Sequence, residues 1–355
     1  MFHTHPIMTT RPIPPLRADQ RPTFDDLRDA AARISGLAHV TPVLRSASLD
    51  ALAGCQLFFK CENFQRAGAF KFRGAANAVF SLTKEQAARG VVTQSSGNHG
   101  AAVALACALR GIECTVVVPG AAARIKREAI ARHGARIVDC DVAQSARNEA
   151  TARVMAETGG ELVHPYNDGR VIAGQGTATL ELLHQVDRRG IGRDSGPILD
   201  VVMAPLSGGG LMSGTAIAAH GVHPGIRAIA AEPEGASDGH DSLVSGTRIA
   251  GRVANTISDG LRAELGPLTF DILRDELERV LLVSDAETVA AMRLVYERLK
   301  ILIEPSCAVP LAAVLRNPAL FAGQRVGIIL TGGNVDLDAL PALFALAPQG
   351  EPQRE

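Results

Sequence analysis

The segment 90–166 constrains the fold more than any other part of the chain, because short apolar runs and helix-like runs alternate through it without a break. Val91, Val92 and Thr93 make a first β-branched run, 101–109 is rich in small helix formers, and 114–118 is a second strand closed by Pro119 and Gly120. A helix over 122–133 ends at Gly134, 136–138 is a third strand, a helix covers about 143–158, and Leu162 and Val163 form a fourth strand. Strands separated by helices cannot join as hairpins, so this order predicts a parallel sheet with helices on its faces.

A second α/β region follows. It has an apolar strand at 201–204, a helix at 211–220, a strand at 228–231 and a last strand at 326–330. Ser284 and Glu287 form a capping box that opens a helix to about Lys300, with Val289, Met292, Val295, Tyr296 and Leu299 on one face. Ahead of both regions, Thr23 caps a helix carrying Leu27, Ala31 and Ile34 and ending near Gly36, and 57–60 reads as a strand.

Composition narrows the class. A chain of 355 residues with 46% hydrophobic and 21% charged residues has the composition of an ordinary globular protein of one large or two smaller domains. A net charge of −1 with no basic run excludes the electrostatic footprint of a nucleic-acid binder. No apolar stretch reaches the roughly 20 residues of a membrane span. The six cysteines form no CxxC pair and read as reduced, mostly buried thiols. Residues 1–20 are Pro-rich and polar, with no apolar core of a signal peptide, so a poorly ordered tail and a cytoplasmic protein are expected.

Three glycine-bearing segments each follow a strand: 95–100 (SSGNHG), 207–210 (SGGG) and 331–334 (TGGN). In parallel sheets, ligands bind beyond the carboxyl ends of the strands. The 207–210 turn opens a helix, where free N–H groups and the helix dipole favour a phosphate; a tight turn of packing value only is the alternative. A dinucleotide site is a further alternative, with Glu232 about twenty residues on. However, Ser213 stands where GxGxxG needs its third glycine, and the other two loops would be left unexplained. Lys71 is bracketed by Phe70 and Phe72. Such a lysine is either a snorkelling surface cation or a desolvated, neutral and nucleophilic amine of the kind Schiff-base chemistry needs.

Six segments in one order go further: FFKCENFQR at 58–66, GAFKFRGA at 68–75, SSGNHG, AGQGT at 173–177, SGGGL at 207–211 and TGGNVDL at 331–337. Together they resemble the serine/threonine dehydratase and serine racemase family of pyridoxal-phosphate enzymes, of tryptophan synthase β-like fold type II, near its hydroxyaspartate dehydratase and racemase branch. The resemblance implies an α/β fold of two open twisted parallel-sheet domains with the cofactor in the cleft between them. A large cofactor domain would comprise 21–89 and 168–345, a small substrate-loop domain 90–167, and no C-terminal regulatory domain would follow.

The resemblance also implies roles. Lys71 matches the lysine that binds the cofactor covalently, and Phe70 the residue against its ring. Ser207, Gly208, Gly209, Gly210 and Leu211 match the phosphate cup, with Ser207 where a glycine is usual and its hydroxyl a further donor. Asn98 matches the partner of the ring hydroxyl, Thr331 that of the ring nitrogen, and Ser95, Ser96, Gly97, Asn98 and His99 the loop that grips the substrate carboxylate. Ser96 matches the second acid–base residue of racemases. Glu232, Ala236 and Asp238 match a divalent-cation site suited to Mg²⁺ or Ca²⁺. The implied activity is dehydration of L-threonine or L-serine to a 2-oxo acid and ammonia by a homodimer, with 3-hydroxyaspartate dehydratase and serine racemase as alternatives. A second substrate carboxylate would need a cation, for which Arg66, Arg170 and Arg262 are candidates.

Overall fold

Two sheets carry the ten strands of the computed structural model, which describes residues 16–95, 97–122, 124–188 and 196–347. The larger sheet contains β1 (Val43–Leu44), β2 (Gln56–Cys61), β7 (Val201–Pro205), β8 (Arg227–Pro233), β9 (Arg279–Val283) and β10 (Arg325–Leu330), in the order β1-β2-β10-β7-β8-β9. Only β1 runs antiparallel in it. The smaller sheet contains β3 (Val91–Gln94), β4 (Cys114–Pro119), β5 (Arg136–Cys140) and β6 (Glu161–Leu162), in the order β5-β4-β3-β6 and wholly parallel. The fold is therefore the α/β, parallel-sheet architecture expected from the alternation of elements.

Parallel sheets bury both faces, and the side chains divide accordingly. On one face of the larger sheet Leu57, Phe59, Met203 and Ile328 pack with Met292, Val295 and Val309; on the other Phe58, Val202 and Ile329 pack with Met212 and Ala216. In the smaller sheet Val91, Val116 and Val118 pack against the helices Lys71–Ser81 and Asn98–Arg110, while Val92 and Val117 meet Ala150 and Val154 of Gln144–Thr158.

Two glycine motifs are explained by one crossing. The helix Gly169–Asp187 holds the AGQGT segment and passes close over Lys71–Ser81. A Cβ on Gly174 would lie 2.6 Å from both the Arg73 carbonyl oxygen and the Gly74 Cα, so no larger residue fits there. The Thr23 capping box on Phe24–Arg33 and the Ser284 box on Asp285–Leu299 are both formed. In the first of these helices Ala30, with Leu27, is buried where Ala31 was expected. Of the expected tail, residues 1–15 lie outside the described residues, whereas Ala18 accepts a hydrogen bond from the Gly169 N–H at 2.8 Å. No described helix is long and apolar enough to cross a membrane.

The three glycine loops follow β3, β7 and β10 at their carboxyl ends. β7 and β10 are neighbours in the larger sheet, so two of the loops lie side by side and the third comes from the smaller sheet.

Candidate active site

Lys71 opens the helix Lys71–Ser81, whose N-cap residue Phe70 supplies no side-chain hydrogen bond. The Lys71 Nζ donates to the Pro165 carbonyl at 3.0 Å and lies 5.0 Å from the centre of the Phe70 ring. Burial drives this amine down to about 8, and Glu304 pulls the other way. Phe72, expected beside the amine, is instead buried in the core of the smaller sheet, because consecutive helical side chains diverge by about 100°.

The residue after Pro165 ties the lysine to the glycine turn. The Tyr166 ring is packed against Gly208: a Cβ there would lie 2.3 Å from the ring's Cγ, and one on Gly210 would lie 2.9 Å from the Tyr166 Cα. Gly209 has φ +90°, a conformation that favours glycine, and Thr269 donates to the Gly208 carbonyl at 2.7 Å. No described residue accepts from the N–H groups of Gly208, Gly209, Gly210 or Leu211, which stand at the start of the helix Gly210–Val222. Unmet donors at a helix N-terminus fit a phosphate. The Ser207 hydroxyl does not add to them, correcting the expectation: it donates to the Ala263 carbonyl at 3.0 Å and accepts from the Ala263 N–H.

The loop after β10 meets the lysine from the other side. The Phe70 N–H donates to the Thr331 carbonyl at 2.9 Å, and Thr331 is buried beside the Cys307 thiol. Glu304, a residue the sequence did not single out, is buried next to Gly332; a Cβ on that glycine would lie 2.6 Å from its carboxylate. The Asn98 side-chain N–H₂ donates to Glu304 at 3.0 and 3.2 Å, and its oxygen accepts from Asn334 at 2.9 Å. The Asn98 amide is thereby held in one orientation. Burial, then Asp259, pushes the Glu304 carboxyl up to about 7. Only the ordinary segment LIEP surrounds Glu304, so no sequence signal marks it.

The 95–100 loop starts the helix Asn98–Arg110, whose N-cap Gly97 offers no side-chain cap. Ser95 accepts from the Gly97 N–H at 3.1 Å, and Ser96 lies outside the described residues. The His99 Nε2–H donates to the Val163 carbonyl at 3.2 Å, while its Nδ1 has no partner. Burial, and then Lys71, drive His99 down to about 3; burial drives His164 down to about 4. Both imidazoles near the lysine are thus neutral.

The candidate cations resolve differently from expectation. Arg170 is buried against Asp168, with Nη2 at 2.7 Å from Oδ2. Arg66 donates to the Leu37 carbonyl at 2.6 Å, and Arg262 gives two N–H groups to the Thr256 carbonyl. Arg147, on Gln144–Thr158, was not among the candidates. Its Nε is buried without a partner, and none of the described carboxylates pairs with it. Burial, Glu264 and Asp238 push the Tyr166 phenol up, and Arg248, then Arg147, oppose them.

Glu232 and Asp238 end β8 and start the following helix, on either side of buried Ala236. Glu232 accepts from the Gly239 and His240 N–H groups at 3.1 and 2.8 Å, and Asp238 from Leu265 at 3.2 Å. Burial is the main cause raising both carboxyls, Glu232 well above its usual range and Asp238 to about 6; Asp238 also raises Glu232. A cleft of about 160 Å³ opens beside Ala236 and Asp238. Two buried carboxylates without a salt-bridge partner among the described residues fit a hard cation. No group of three or more His, Cys, Asp or Glu is gathered there, so carbonyl and water oxygens would have to complete its shell.

This geometry agrees with the chain's relatives. The model of the family described as "Pyridoxal-phosphate dependent enzyme" matches residues 34–332. The chain is 50% identical over 320 residues to a beta-hydroxyaspartate dehydratase of Paracoccus denitrificans, covering 90% of this chain and 98% of the relative. It is 48% identical to a serine racemase of Arabidopsis thaliana, covering 88% and 93%. The solved structure of maize serine racemase superposes with a TM-score of 0.86 at 46% identity, covering 91% and 97%. Matched along most of its length and carrying a half-buried lysine near unmet phosphate-type donors, the chain belongs to the pyridoxal-phosphate dependent enzyme family.

Proposed function

We propose that this protein is a lyase that converts 3-hydroxyaspartate to oxaloacetate and ammonia. The observation that carries the substrate is Arg147, whose Nε is buried without a hydrogen-bond partner and whose charge is felt at the Tyr166 phenol. A substrate with two carboxylates offers it one, whereas L-serine and L-threonine do not. This reverses the order drawn from the sequence, where L-threonine and L-serine stood first. The relative at 50% identity named beta-hydroxyaspartate dehydratase supports the same reading.

Pyridoxal phosphate, when bound, supplies an electron sink for the substrate α-carbon. Lys71 would hold it, with the N–H groups of Gly208 to Leu211 on its phosphate, Phe70 against its ring, Asn98 at its ring hydroxyl and Thr331 at its ring nitrogen. The Asn98–Arg110 helix N-terminus, with the loop of Ser95, Gly97 and His99, receives the α-carboxylate, because unmet N–H groups favour an anion there. Lys71, neutral above about pH 8, takes the α-proton at Nζ. The β-hydroxyl leaves with a proton as water, and hydrolysis of the product returns that water and releases ammonia. Neutral His99 and His164 keep competing positive charge away from the lysine. Homodimeric assembly belongs to the same proposal and rests on the family resemblance.

The test is a substrate panel of 3-hydroxyaspartate isomers, L-threonine, L-serine and D-serine, read by 2-oxo acid release and by enantiomer analysis. The expected result is preference for a 3-hydroxyaspartate isomer. Arg147→Met should lower kcat/KM for it by about 100-fold, the scale of an unpaired buried charge, and leave L-threonine turnover nearly unchanged. Preference for L-serine or L-threonine, with no effect of that substitution, would refute the substrate. Serine racemization is the second reading, favoured by the 48% identity to a serine racemase, and the enantiomer readout reports it.

Glu232, Asp238 and the Ala236 carbonyl are proposed to hold Mg²⁺ or Ca²⁺. Adding either ion to metal-stripped protein should raise Tm, since a ligand of the folded state alone stabilises it, and Glu232→Gln should remove the shift. An unchanged Tm across the titration would refute this site.

A further inference from the structure

Two residues after Lys71, on the same helix, Arg73 anchors a network of buried charge. It is fully buried, as are Glu62 and Lys60. Its Nε and Nη2 donate to the two Glu62 oxygens at 2.7 and 2.8 Å. Its Nη1 and Nη2 donate to the two Glu181 oxygens at 2.8 Å each. The remaining N–H, on Nη1, faces the Thr177 hydroxyl at 3.3 Å, and Nη2 shares its hydrogens with the His39 carbonyl at 3.3 Å. Lys60 enters only at the far carboxylate, with its Nζ 2.8 Å from Glu181.

Stability alone does not explain such a network. Taking three charged groups fully out of water and a fourth, Glu181, partly out is expensive, and apolar replacements of similar volume are often as stable or more so. What two forked pairs supply is direction, because a planar guanidinium between two carboxylates can neither slide nor rotate. Direction is what this helix otherwise lacks. Its first turn has no side-chain cap and no acidic residue, and Lys71 is its first residue. Glu62 follows directly on β2, and Glu181 sits on the helix Gly169–Asp187, so the fork ties that first turn to two independent elements.

We infer that Arg73 is a positioning residue for Lys71: its forks to Glu62 and Glu181 fix the rotation of the helix start that aims the lysine amine into the cleft. The inference rests on the assignment of Lys71 as the cofactor lysine. Arg73 touches neither substrate nor cofactor and acts through the backbone between residues 71 and 73.

The test compares Arg73→Lys with Lys60→Met in the cofactor-loaded enzyme. Arg73→Lys keeps the charge and loses the fork; Lys60→Met keeps both forks and removes one charge from Glu181. The readouts are Tm, the pH titration of the visible absorbance, kcat and KM. Both variants are expected to lose Tm. Only Arg73→Lys should shift the absorbance titration and lower kcat, by about tenfold or more, with KM nearly unchanged, since small misplacements of a reacting group are costly. If Arg73→Lys does not fold, Glu62→Gln, which weakens one fork, carries the same expectation. A parental titration and kcat in the Arg73 variant would overturn the inference, as would an equal loss in Lys60→Met. Loss of the visible band in Lys71→Ala alongside a parental Arg73 variant defeats this inference only; a band that survives Lys71→Ala defeats the assignment beneath it.

Discussion

Lys71→Ala is expected to give folded protein that shows no visible absorbance with pyridoxal phosphate and turns over its substrate about 10⁴-fold more slowly, the upper end of what a positioned acid–base group supplies. Two functions are lost together, the covalent hold on the cofactor and the base at the α-carbon. The side chain is half-buried and makes one hydrogen bond, to a backbone carbonyl, so its removal leaves no charge unpaired and the fold should tolerate it. The same amine sets a pH dependence. Its pKa is lowered to about 8, so it is charged below that value and neutral above it. Attachment of pyridoxal phosphate to cofactor-free protein should therefore rise about tenfold per pH unit below 8 and level off above it. Stopped-flow absorbance across pH 6–10 reads this directly, and a flat profile would show that burial does not control the amine.

The second large effect is expected at Gly208. An alanine there puts a methyl carbon 2.3 Å from the Tyr166 ring. The ring must move, or the turn must open and misalign the N–H groups of residues 208–211. Overpacking of this kind costs about 1–3 kcal/mol, so the Kd for pyridoxal phosphate should rise by up to about 100-fold. Equilibrium dialysis gives the value. Tyr166→Ala in the same background should recover much of the loss, since it removes the clash, and an additive double variant would show that the ring does not cover the turn.

The strands and most helices of the smaller sheet were legible because they alternate over short, well-punctuated segments. Boundaries moved by a few residues, as at Asn98–Arg110, whose first turn lies inside the glycine loop. The helix Gly169–Asp187 was legible only as the AGQGT motif. It is buried on nearly every side from Gly169 to Thr179, so it has no polar face and no helical period to read. At the site, Lys71, Asn98, Thr331 and the glycine turn could be named because they sit in motifs. Glu304 and Arg147 could not. Glu304 matters through its meeting with Asn98, and Arg147 through an Nε with no hydrogen-bond partner among the described residues; both are properties of three-dimensional neighbours. The Ser207 hydroxyl was misjudged for the same reason, because its partner Ala263 lies far along the chain.

The most direct test of the lysine assignment is borohydride reduction of the cofactor-loaded enzyme, which fixes the cofactor to whichever amine holds it, followed by peptide mass mapping. The expected outcome is a single pyridoxyl group on the peptide containing Lys71. A label on Lys60, Lys126 or any other lysine, or no label in an enzyme that still binds the cofactor, would contradict it.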